Sequence, residues 1–171
     1  EELLSELDGF TGAVGIWDSG RPGPVTAFRF DIDCVQVGET SDPAHEANAG
    51  GYASQRPNLM HACGHDGHLA VGLGVAQWIK DHADQLCGKI KLVFQPAEEG
   101  TRGAQPMAES GILDDVDFIV CTHIGSSVPL HQVAVCTHGY LATTKLDIYF
   151  EGVPAHAGAN PEKGRSALMA A

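Results

Sequence analysis

Met60-His61-Ala62-Cys63-Gly64-His65-Asp66-Gly67-His68 places one thiol, three imidazoles and a carboxylate within nine residues. An apolar helical pattern follows at once. Val71, Val75, Trp78 and Ile79 share one face, and Leu69, Leu73 and Ala76 widen it, which predicts a mostly buried helix over 64–82. Before such a helix a structural core would place turn residues. Here the positions carry side chains that bind metals.

Downstream of this helix, residues 88–95 alternate Ile90, Leu92 and Phe94 against Lys89 and Lys91, the pattern of a strand. Pro96 ends it and Glu98-Glu99-Gly100 follows. Residues 103–110 predict a helix. Residues 116–123 predict a strand whose run Phe118-Ile119-Val120-Cys121 suits cover on both faces, with His123 at its end. Upstream, 11–17 and 25–31 read as strands. The turn-forming Asp18-Ser19-Gly20-Arg21-Pro22-Gly23-Pro24 between them predicts a hairpin. Asp31 and Asp33 close the second strand and point the same way if it stays extended. The polar loop 42–58 is long enough to suggest a function. Residues 1–7 suit the last turns of a helix ended by Gly9, 131–137 and 143–151 two further strands, and 161–171 the start of a helix.

This alternation gives an α/β class. In such sheets ligands gather beyond the carboxyl ends of the strands. Asp31 and Asp33, Glu98 and Glu99, and His123 all follow strands, while Cys63 and His65 stand at a helix start.

The bulk properties narrow the function. A chain of 171 residues can bury one good core and begin a second domain. With 43% hydrophobic and 19% charged residues it is an ordinary globular composition without a membrane-length apolar run. The net charge of −12 speaks against nucleic acid, whose phosphates need a basic face. Five cysteines, odd in number and irregular in spacing, fit a reducing compartment better than a disulfide scaffold, hence a cytoplasmic expectation. The chain begins with Glu1 and ends in what reads as a helix in progress, so we expect it to be part of something longer.

Taken alone, Cys63 would be an inert thiol and His65 a capping histidine. Together with Glu98, Glu99 and His123 they form a ligand cluster. Thiolate and imidazole suit zinc, and imidazole with carboxylate also admits manganese. The helix start at Cys63 and a nearby metal would favour thiolate. Adjacent carboxylates repel, and a metal relieves that for one of them. One Glu can bind metal while the other, pointing the opposite way, takes the proton of a metal-activated water and passes it to a leaving amine. Asp33 can orient a ligating histidine through a hydrogen bond, and Asp66 and His68 can do similar work. His156, on the loop Glu151-Gly152-Val153-Pro154-Ala155-His156-Ala157-Gly158, is far away in sequence. His45, His61, His82, His131 and His138 carry no assigned role.

Five stretches occur in the order and spacing of a known family: Phe30-Asp31-Ile32-Asp33, His61 to His68, Phe94-Gln95-Pro96-Ala97-Glu98-Glu99-Gly100, Thr122-His123-Ile124-Gly125, and Gly152-Val153-Pro154-Ala155-His156-Ala157-Gly158. They resemble the metal-dependent amidohydrolases of the aminoacylase/carboxypeptidase superfamily. The similarity is to the branch of hippurate and auxin-conjugate hydrolases, and within it to aminobenzoyl-glutamate hydrolases through Asp33-Cys34-Val35 and Ala142-Thr143-Thr144-Lys145-Leu146-Asp147. The resemblance implies a mixed sheet flanked by helices, with an inserted α+β lid that also makes a dimer. On this reading 1–142 is catalytic domain and 143–171 the start of the lid. It implies two divalent ions, manganese or zinc, on Cys63, His65, Glu99 and His123, with the Cys63 thiolate bridging them. Glu98 would be the general base and Asp33 the orienter of a ligand. His156 would stabilise the oxyanion, in its own or the partner subunit's site. The implied reaction is hydrolysis of an N-acyl or N-aroyl amino acid, p-aminobenzoyl-glutamate among them. The family's C-terminal metal-binding histidine and most of the lid find no counterpart, so these 171 residues alone are expected to be inactive. Two other classes compete: a metal-holding scaffold without chemistry, and a thiol enzyme built on Cys63, which leaves Glu99 and His123 unexplained.

Overall fold

Strand β3 (Lys89–Gln95) lies between β1 (Ala13–Asp18), antiparallel to it, and β2 (Val25–Asp31), parallel to it. The short strand β4 (Phe118–Cys121) adds parallel to the far side of β2, giving a mixed sheet in the order β1-β3-β2-β4. The structure is a computed structural model that describes residues 11–100, 103–125, 127–135, 144 and 146–171. The expected terminal helix at 1–7 lies outside the described residues.

β1 and β2 are not a hairpin. Their connecting turn bonds to the entrance of β3 instead: Ser19 N–H donates to Gly88 O at 3.1 Å, Gly88 N–H to Arg21 O at 3.1 Å and Lys89 N–H to Pro24 O at 3.0 Å. The turn residues therefore seat β3 between the two strands. Because β2 and β3 run parallel, the chain must cross over between them, and the helix α2 (His65–Asp81) makes that crossover. A short helix α1 (Glu46–Gly50) interrupts the loop read as continuous over 42–58. The side chain of Asn48 ties it down by donating to Thr40 O at 2.8 Å and Asp42 O at 2.7 Å.

The core sits between α2 and one face of the sheet. Phe30, Ile79, Ile90 and Leu92 are buried there, with Trp17, Phe28, Val75, Ala76, Leu86 and Phe94 packed around them. The period-2 alternation of β3 puts Ile90, Leu92 and Phe94 on this side, as the sequence predicts. Lys91 is not a solvent-facing residue, however. It is 5% exposed, and its ammonium donates to Ile112 O and Asp115.

Helix α2 forms where expected, but it is not mostly buried. Its sheet-facing line is His65, His68, Gly72 and Ile79, whereas Leu69, Val71, Leu73 and Trp78 are exposed. The hydrophobic pattern does not reveal the buried stripe because two of its members are histidines and one is a glycine. At Gly72 the helix and sheet touch: a Cβ there would stand 2.6 Å from Phe94 Cε1 and 2.9 Å from Phe30 Cδ2. β4 likewise is exposed along all four residues, against the expectation of cover on both faces: it takes the sheet edge, and α2 packs on β2 and β3 instead. The third helix, α3 (Ala104–Glu109), forms within the predicted segment.

Contacts divide the chain into the units Glu1–Ser127 and Val128–Ala171. In the second, no strand occurs among the described residues of 131–137 and 143–151, where two were expected. Val133, Val135, Leu146, Ile148 and Tyr149 are exposed there, and none joins a ladder among the described residues. The helix expected over 161–171 is a single 3₁₀ turn, Pro161–Lys163. Gly164 turns extended and Arg165 pairs with Val153 by two backbone bonds of 2.9 Å. Among the described residues no helix is long and apolar enough to cross a membrane.

Candidate metal centre

The carboxyl ends of the three parallel strands and the first turn of α2 converge on one cluster. Past the end of β2, Val35 and Met60 pair through backbone bonds of 3.0 and 3.2 Å. This bridge brings the returning chain, and with it Cys63, beside the strand exit. Gly64 then begins α2 from the left-handed region at φ +87°, a conformation that suits glycine. Past β3, Ala97 sits at φ +54°, unusual for a residue with a side chain, just before Glu98 and Glu99.

His65 is the centre of the arrangement. Its ring is 0% exposed. Nδ1 faces two acceptors, Asp33 O at 2.9 Å and Asp33 Oδ1 at 3.2 Å. Nδ1 therefore carries the proton, and Nε2 of the neutral ring keeps a lone pair. That Nε2 is buried and has no hydrogen-bond partner among the described residues. Asp33 also accepts the backbone N–H of Glu99 on Oδ2 at 3.0 Å, so one carboxylate fixes both the histidine and the Glu-Glu turn. Glu98 Oε2 lies 3.9 Å from His65 Nε2.

Cys63 Sγ stands 3.7 Å from His123 Nε2, while His123 Nδ1 donates to Ile124 O at 2.8 Å. Two atoms bound to one tetrahedral ion at about 2.0–2.3 Å lie about 3.5 Å apart, so the thiol and imidazole are spaced as a ligand pair would be. The ligand atoms of Cys63, His65 and Glu99 lie within 4.8 Å of one another, as do those of Asp31, His65, His68 and His123. An unpartnered buried imidazole nitrogen, a thiol and a carboxylate at this spacing fit a divalent ion of borderline softness.

The thiol itself departs from the sequence reading. A hydrogen bond with Glu99 pushes Cys63 up to about 11, helped by burial and by the charges of Glu99, Glu98 and Asp31. These groups oppose the thiolate that the helix start was expected to favour, and a bound cation would counter them. Asp31 moves the other way. Burial raises it, but the hydrogen bond with His68 and the charges of Arg29, His65 and His68 hold it below the ordinary aspartate value.

The structure thus gathers Cys63, His65, Glu98, Glu99, His123 and Asp33 in one place, the residues that the sequence marks as candidates. His156 belongs to the second unit, where its Nδ1 accepts the N–H groups of Gly158 and Ala159, each at 3.1 Å. Asp66 lies exposed in the first turn of α2. Sequence reasoning names no bonding partner for Asp31 or His68, which meet as a buried pair beside the cluster. The available signal was spacing: His65 and His68 are three apart on a helix, and Asp31 and Asp33 two apart on an extended segment, so each pair shares a side.

The model of peptidase family M20/M25/M40 matches residues 27–170, and the chain belongs to that family. It is 52% identical over 171 residues to a homolog, from Haemophilus influenzae, of one of the subunits of p-aminobenzoyl-glutamate hydrolase, covering 100% of this chain and 40% of that protein. It is 53% identical over 172 residues to the indole-3-acetyl-aspartic acid hydrolase of Enterobacter agglomerans, covering 100% and 39%. Among solved structures it resembles a dinuclear metal-binding M20 peptidase of Bacillus subtilis, with a TM-score of 0.62 and 31% identity over 75% of this chain and 36% of the other. The chain therefore spans about two fifths of the length of these curated relatives.

Proposed function

We propose that the protein hydrolyses the amide bond of an N-acyl or N-aroyl amino acid, with p-aminobenzoyl-glutamate as the first candidate, at a site for two divalent ions formed in part by Cys63, His65, Glu99 and His123. The observation that carries this is the buried, unpartnered Nε2 of His65, set among a thiol and carboxylates at the strand ends. Relatives named for hydrolysis of p-aminobenzoyl-glutamate and of indole-3-acetyl-aspartate support the substrate class, an acyl group joined to an acidic amino acid. Manganese or zinc bound there would polarise the scissile carbonyl and acidify water.

The chain's own residues do the rest. Asp33 holds His65 in the Nδ1–H tautomer and fixes the Glu98-Glu99 turn through the Glu99 amide. Glu98, its carboxylate 3.9 Å from His65 Nε2, accepts the proton of the attacking water and delivers it to the leaving nitrogen. Cys63 would help hold the ions, and the negative charge of its thiolate would offset part of theirs. His156 is the oxyanion donor. Its Nδ1 is occupied as an acceptor, which leaves the proton of a neutral ring on Nε2 and available to donate. In this reading residues 1–142 form catalytic domain, and 143–171 begin a lid through which two protomers associate, with His156 serving its own or its partner's site. The irregular free cysteines suit a cytoplasmic enzyme.

The test is metal content together with hydrolysis of p-aminobenzoyl-glutamate by the intact natural polypeptide and by its Glu98→Ala variant. Loss of the base should lower kcat about 10²–10⁴-fold while the bound metal stays. Metal without turnover on that substrate or on a panel of acyl-amino acids would instead mark a metal-holding scaffold.

A further inference from the structure

His68 has no role in the reaction as described, yet it is among the most enclosed side chains, at 1% exposure. Both its nitrogens are in use. The backbone N–H of Ile124 donates to Nε2 at 2.8 Å. An amide N–H can only donate, so Nε2 holds the lone pair and the proton sits on Nδ1, which donates to Asp31 Oδ1. Asp31, 0% exposed, takes Arg29 Nη1 on its other oxygen at 2.7 Å, and Arg29 Nε donates to Gln95 Oε1 at 2.8 Å. The chain of bonds runs from the end of β3, through the end of β2 and the first turn of α2, to the residue that follows His123.

Ile124 is the point held. His68 grips its N–H, and His123 Nδ1 donates to its carbonyl at 2.8 Å. Its side chain, though 55% exposed, lies against the first turn of α2: a Cβ on Gly67 would stand 2.6 Å from Ile124 Cδ1. The rings of His68 and His123 meet edge to face, with centroids 4.5 Å apart.

We propose that His68 is a positioning residue for His123 and not a metal ligand: by accepting the Ile124 amide it sets the backbone that aims His123 Nε2 at Cys63. The alternative is that His68 binds an ion with Asp31, His65 and His123, whose ligand atoms lie within reach of one another. The bonds decide against it. The lone pair on Nε2 is spent on Ile124 and Nδ1 bears a proton. The inference rests on the proposed reading of His123 as a ligand.

Zinc affinity of the intact natural polypeptide, measured by competition with a chromophoric chelator, tests it, together with the visible spectrum of the cobalt(II) form. His68→Phe keeps a ring and loses both bonds. His68→Gln can accept the Ile124 amide and donate to Asp31 from one carboxamide. We expect His68→Phe to bind the same number of zinc ions as wild type but about 10–100-fold more weakly, the cost typical of losing an outer partner of a ligand. His68→Gln should recover most of that loss, and the cobalt bands should keep their shape in both. If His68→Phe does not fold, His68→Leu, which also loses both bonds, takes its place under the same criteria. Loss of one ion equivalent, or altered cobalt bands in the glutamine variant, would make His68 a ligand and overturn the proposal. Equal affinity in wild type and His68→Phe would overturn it too, while leaving the metal site intact. A wild-type protein with no zinc affinity would instead remove the site reading itself, and this inference with it.

Discussion

At Cys63 the geometry opposes the thiolate that metal binding would require. The Glu99 hydrogen bond, burial and neighbouring carboxylates push its thiol up to about 11 from an ordinary 9.0. A raised value means less thiolate at any lower pH, by about 100-fold at pH 8 for a two-unit shift. In metal-stripped protein, peptide-mapped alkylation of Cys63 should therefore be slow at pH 8 and rise with pH through about 11. A Cys63 curve with its midpoint at or below 9 would restore the thiol-enzyme reading. The candidate residues were legible because chemistry and place agree: Glu98, Glu99 and His123 follow strands and Cys63 and His65 start a helix, where an α/β sheet collects ligands. Asp31 and His68 were singled out by the same signals, but their pairing with each other was not legible. Their bond joins residues 37 apart and depends on the rotation of α2 against β2, which spacing along either element does not specify.

At the scale of elements, the contact of α2 with the sheet is closest at Gly72. Phe30 and Phe94 face each other there, with ring centroids 5.6 Å apart, and fill the space a side chain would need. Gly72→Val should force the helix off the sheet and destabilise the protein by about 1–3 kcal/mol, read from the denaturation midpoint. Because His65 and His68 ride on the same helix, metal affinity should fall as well. An unchanged midpoint would mean that the helix is not packed as described. β2 and β3 were readable almost to the residue, since their alternation faces a real core. The β1–β2 pairing was misjudged because turn residues announce a reversal but not which strand fills the space beside it. The exposed faces of α2 and β4 show the converse: apolar runs reveal what prefers burial, not what covers it.

For the molecule as a whole, topology does the work of assembly. Two parallel pairings on β2 put the ends of β2, β3 and β4 on the same side of the sheet, and the crossover helix α2 starts at that side with its first turn. Four segments spread from Asp31 to Ile124 thus meet, although no single motif holds a complete ligand set. We propose that this meeting point holds metal through the sulfur of Cys63 as well as through histidine and carboxylate. X-ray absorption at the edge of the bound metal, on the intact natural polypeptide and on a Cys63→Ser variant, distinguishes the ligands by element. We expect a sulfur scatterer together with imidazole in the wild type, and loss of the sulfur shell in the variant. A shell of oxygen and nitrogen alone in the wild type, or no bound metal, would contradict sulfur ligation by Cys63.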